Sequence, residues 1–130
     1  MELLSHDVPD WTRVLAHRAP GDDAAERLAR WTTPRTVADV LADSGRGLLA
    51  QLAGETTDRD WVDECGGLLG AVVVLAEVDA AASALRSAVA RARAQALAEL
   101  LLDHSLVDLA AALGVSRQAL HKSVKGVRGL

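Results

Sequence analysis

Between about Asp58 and His104 the chain has no proline, and apolar residues recur at intervals that are mostly three and four: Trp61, Leu68, Val72, Leu75, Val78, Ala82, Leu85, Val89, Ala92, Ala96 and Leu100. That alternation lays one continuous stripe along a helix face. Val72-Val73-Val74 alone would suit a buried strand, but its Ala- and Leu-rich flanks favour helix. Helices draw most of their stability from what they pack against, so one this long in a chain of 130 residues needs a partner surface. It can pair with the same helix of a second copy, Gly66 and Gly70 allowing close approach, or it can pack only on earlier helices. A break near Ala80 to Ala82 would preserve either arrangement.

The remaining sequence also reads as helical. The only aromatic residues are Trp11, Trp31 and Trp61, so a core must be built from Ala, Leu and Val, which suits helices better than sheets. Asp7 to Arg18, with Pro9 near a first turn, reads as a short helix ended by Ala19-Pro20-Gly21. Asp22 and Asp23 open a second helix that runs to Trp31, and Thr32-Thr33-Pro34 breaks it. Val37, Val40, Leu41, Leu48, Leu49 and Leu52 give a third, bent at Gly45 and Gly47. The expected fold is all-α: a helical body over residues 1–104 and a module over residues 105–130. A mean hydropathy of +0.14 is high for so small a domain and leaves apolar surface for another subunit.

Several chemistries find no support. One cysteine, Cys65, excludes an internal disulfide and a cysteine-cluster metal site and fits a reducing cytoplasm. His6, His17, His104 and His121 lack paired metal-ligand spacing, so no metal or other cofactor is expected. Asp103-His104-Ser105 cannot form a catalytic triad, because consecutive side chains point in different directions. Gly45-Arg46-Gly47-Leu48-Leu49-Ala50 matches a loose dinucleotide fingerprint, yet no strand precedes it. No enzyme is expected. The start carries acids where a secretion signal has a basic region, and the longest apolar run, Gly66 to Ala76, stops at Glu77. Roughly 18 residues or more are needed to span a membrane, so the expectation is a cytoplasmic protein without a membrane partner.

The informative segment is Ser105 to Gly126, SLVDLAAALGVSRQALHKSVKG. Ser105 followed by Asp108 is a capping pattern, and Leu106, Leu109, Ala110 and Leu113 give the helix an apolar face. Gly114 stands where that helix should end, Val115 plugs the turn and Ser116 can cap the next helix. That second helix places Ala119, Leu120 and Val124 on one side and Arg117, Gln118, His121, Lys122 and Lys125 on the other. A small residue at the crossing (Ala110), a turn glycine (Gly114) and apolar locks (Val115, Leu120) are the parts of a helix-turn-helix.

The segment resembles the DNA-binding helix-turn-helix of bacterial regulators. LGVSRQALHKSVKGVRGL is most similar to the C-terminal motif of Fis-like nucleoid and activator proteins, and it also resembles the N-terminal motif of biotin-repressor-type winged helices. The chain ends at Leu130 without a following hairpin, which points to the wingless form. The resemblance covers about the last fifth to quarter of the chain. It implies that the second helix enters the major groove of double-stranded DNA. Arg117 and Gln118 would read bases, Arg bidentate to guanine and Gln to adenine, with His121 and Lys122 a turn later. Ser116, Lys125 and Arg128 would hold phosphates.

The distribution of charge agrees. The net charge of −4 divides into 7 − 15 = −8 through Leu85 and 7 − 3 = +4 from Arg86 onward, and the chain's only lysines are Lys122 and Lys125. A basic end on an acidic body suits an oriented DNA binder. The expected function is a dimeric, nucleoid-associated transcriptional regulator. Two alternatives stand beside it: an adaptor whose helix-turn-helix contacts protein, antitoxin-like or sigma-factor-binding, and a sensor whose body binds a small-molecule effector near the tryptophans.

Overall fold

The computed structural model describes residues 10–128, with side chains through residue 125. Among them are eight helices and no strand: α1 Trp11–Val14, α2 Ala24–Ala29, α3 Pro34–Ala42, α4 Arg46–Leu52, α5 Trp61–Glu64, α6 Leu68–Leu100, α7 Leu106–Leu113 and α8 Arg117–Arg128. The all-α expectation holds. Contacts gather into two units, one ending at Ala84 and the other starting at Leu85. The sequence division at residue 104 follows the motif, whereas the contacts give the last part of α6 to the second unit.

In the first unit, polar side chains start the short helices by accepting orphan backbone N–H groups. Asp10 accepts from Arg13 N at 2.8 Å and Thr33 from Thr36 N at 3.2 Å, with Pro34 in the first turn of α3. Asp7, Val8 and Pro9 lie outside the described residues. The bend expected at Gly45 is a full break, since Ser44 (φ 60°) and Gly45 (φ 79°) are both left-handed and separate α3 from α4. Leu28, Val37, Val40, Leu48, Ala71 and Val74 close the core. Buried Cys65 is a core thiol, and burial pushes its pKa up to about 11.

The proline-free stretch is not one helix. Gly66 and Gly67 are both left-handed (φ 93° and 97°) and cut α5 from α6, while Ala80 to Ala82 stay helical. The two glycines expected to face a second copy are used inside the chain instead. A side chain at Gly66 would collide with the Trp31 carbonyl, and one at Gly70 with the Cys65 carbonyl and, at 3.2 Å, with Trp31 Cβ. Gly47 likewise leaves room for the Trp61 indole.

Only part of the expected stripe packs: Leu75 and Val78 are half-buried against the first core. In the first unit α6 buries Ala71, Val74 and Glu77, and leaves Leu68 (65 % exposed) and Val72 uncovered. Glu77 is only 2 % exposed, and it is held by Arg18 Nε and Nη2 at 2.9 and 2.8 Å and by His17 Nε2. Burial alone would raise its pKa; the Arg18 and His17 hydrogen bonds outweigh that and hold it below the ordinary value. The same pairing raises the pKa of Arg18. By length and composition α6 could cross a membrane, since an 18-residue stretch of it has a mean hydropathy of 1.9 and is 22 % buried. The apolar character therefore continues past Glu77, where the sequence reading ended it.

In the second unit Leu97 and, at its margin, Leu101 pack with Leu109, Ala110, Leu120 and Val124. These side chains seat α7 and α8 on the end of α6.

Candidate nucleic-acid interface

The pair α7–α8 is built from local chemistry that the sequence spells out. Ser105 Oγ accepts from Asp108 N at 3.0 Å and opens α7, with Asp108 in the first turn where the helix dipole favours an acid. Gly114 ends α7 in the left-handed region, φ 68° and ψ 30°. Val115 N then donates to Ala110 O at 3.0 Å and Gly114 N to Ala111 O at 3.3 Å, which satisfies carbonyls that the helix end would otherwise leave orphaned. Ser116 Oγ accepts from Ala119 N at 3.0 Å and opens α8.

Ala110 is buried and allows α7 and α8 to pack closely, Leu120 and Val124 are fully buried, and Val115 is half-buried at the turn. Ala119 and Leu113 depart from expectation and are exposed. Leu97 and Leu101 fill the space beneath the pair instead, a role hidden in the sequence because they fall off the three-and-four stripe of α6.

The other side of α8 is open. Ser116, Arg117, Gln118, His121, Lys122 and Lys125 are all exposed. Among the described residues no carboxylate pairs with Arg117, Lys122 or Lys125; the six ion pairs found involve Arg18, Arg27, Arg59 and His17. Arg59 shows the contrast. It is clamped by Glu64 and Asp39 over the Trp61 ring, so it is a structural cation in the first unit. Arg128 ends α8, and its side chain lies outside the described residues. Ser123 Oγ donates to Ala119 O at 3.0 Å on the open side.

His104 Nδ1 lies 3.1 Å from Leu100 O and Ser105 caps α7, so Asp103-His104-Ser105 forms helix ends. No group of three metal-ligating side chains occurs among the described residues. A cavity of about 480 Å³ in the first unit is lined by Trp11 together with Leu15, Arg18 and Pro20. Trp31 and Trp61 sit elsewhere, against Gly66, Gly70 and Gly47, so the three tryptophans do not line one pocket. No family model, no curated protein and no solved structure significantly matches this chain.

Proposed function

We propose that the chain is a sequence-specific DNA-binding regulator acting as a dimer, with α8 as the recognition helix of a wingless helix-turn-helix. One observation carries the reading. Away from buried Leu120 and Val124, α8 presents Gln118, His121, Lys122 and Lys125 to solvent, with exposed Arg117 at its start, and Arg117, Lys122 and Lys125 have no counter-ion among the described residues. Phosphates are the natural counter-ions for such a face, and a Gln between an Arg and a His adds groups that distinguish base edges. Arg117 and Gln118 read bases, with His121 and Lys122 beside them. Ser116, Lys125 and Arg128 hold the backbone.

Exposed Val107 and Leu113 on α7 favour a second reading, an adaptor that contacts protein through the same pair of helices. A polarisation titration with genomic fragments at two salt concentrations separates the two. Binding that weakens steeply with salt is expected for the regulator. No binding even at low salt would remove it in favour of the adaptor.

A further inference from the structure

Histidine changes charge between about pH 5 and pH 8, and His17, His104 and His121 stand in three different settings. His17 is half-buried and bonded to the Glu77 carboxylate. His104, just beyond α6, donates from Nδ1 to Leu100 O at 3.1 Å. His121 is exposed in the middle of α8, and among the described residues it has neither a hydrogen bond nor an ion pair.

The charges beside it on α8 are all of one sign. Arg117 and Lys125 stand one helical turn before and after it, at the spacing that places side chains on the same face, and Lys122 follows it in sequence. The elements that pack with α8 bring few other charges. Asp108, in the first turn, is the charged residue of α7, and the end of α6 with its connection to α7 carries Arg93, Glu99, Asp103 and His104. None of these is hydrogen-bonded or ion-paired to His121. A proton added to this imidazole therefore finds no carboxylate partner among the described residues.

We propose that His121 enters the DNA complex as an imidazolium, so that binding takes up a proton and tightens as pH falls. The proposal rests on the regulator reading above and adds a control to the same face. Phosphates brought to α8 supply the negative charge that the protein does not, and their field favours the protonated ring. The neutral ring has one donor and one acceptor, whereas the imidazolium has two donors. A phosphate oxygen accepts only, and guanine presents two acceptors, N7 and O6, in the major groove, so either contact is better served by the protonated form. The proton comes from the buffer and returns to it when the complex dissociates. Because the complex holds this proton more tightly than the unbound chain does, affinity is highest below neutrality and falls as pH rises.

Polarisation of labelled genomic fragments, titrated with the full chain at constant ionic strength, tests the coupling. Affinity should rise about fivefold from pH 8 to pH 6, within the roughly tenfold per pH unit that one proton permits. His121→Gln should bind with a flattened pH profile. His121→Lys, charged at every pH, should bind at pH 8 about as tightly as wild type does at pH 6. His104→Gln, which removes an exposed histidine outside α8, should keep the wild-type profile. Calorimetric titrations in phosphate and in Tris, whose protonation enthalpies differ, should record net proton uptake at pH 7 that His121→Gln abolishes. All three positions and replacements are solvent-exposed and polar, so helical circular dichroism should be unchanged. Equal affinity at pH 6 and pH 8, or a pH dependence that survives His121→Gln, would overturn the coupling and leave the regulator reading standing. Absence of binding at every pH, even at low salt, would overturn both.

Discussion

In the proposed DNA complex, Arg117 and Gln118 differ from Lys125 in what their removal takes away. A bidentate contact to a base edge discriminates by about 1–3 kcal/mol, so the Arg117→Ala/Gln118→Ala variant should bind a selected site no better than random DNA in a polarisation competition. Lys125→Ala should weaken all sequences alike and lower the slope of log affinity against log salt by about 1. Glycines give a second contrast at the same scale. Alanine at Gly66 meets both a left-handed backbone (φ 93°) and the Trp31 carbonyl, so it should destabilise by about 2–4 kcal/mol in a denaturant titration. Gly114→Ala meets open space at φ 68° and should cost only about 1 kcal/mol.

Among the elements, α6 couples its packing to pH through Glu77. The folded-state pKa of this carboxylate is lowered, so its contribution to stability is present above the ordinary value and is lost as pH falls through the folded one. In a His17→Ala/Arg18→Ala variant only burial remains, and burial raises the pKa. Glu77 should then cost stability as pH rises, by up to about 3 kcal/mol at neutrality, so unfolding midpoints measured from pH 4 to pH 7 should trend opposite to wild type. The same helix shows what the sequence disclosed. Caps and stops were legible at Ser105, Gly114 and Ser116 because each acts on its own neighbours within four residues. The packed face of α6 was not, because apolar residues lie all round this helix and periodicity cannot say which of them meets a core. Glu77 reads as the end of an apolar run, yet it is buried, since the residues that neutralise it are about sixty positions earlier. For the same reason the roles of Leu97 and Leu101 beneath α7 and α8 were hidden, whereas the exposure of the polar residues of α8 was legible in the sequence, although that of Ala119 was not.

For the molecule as a whole, two cores of unequal size imply two stabilities. The second unit closes on only a few buried side chains, and a small core leaves a domain marginal. Leu120→Ala, at a fully buried position, should cost that unit about 2–5 kcal/mol. All three tryptophans lie in the first unit, so their fluorescence should miss this loss while helical circular dichroism records it. Non-coincident transitions by the two probes are the expected result, and coincident ones would mean that the units unfold together. The placement of lysine has a chemical consequence of its own. Lys122 and Lys125 carry the only side-chain amines in the chain, and both are exposed on α8. A reagent that acylates primary amines would therefore mark this helix and the amino terminus and nothing else, erasing two positive charges from the proposed DNA face in one step. Bound DNA should shield both sites, so the mass of the labelled protein becomes a direct record of which surface the nucleic acid occupies.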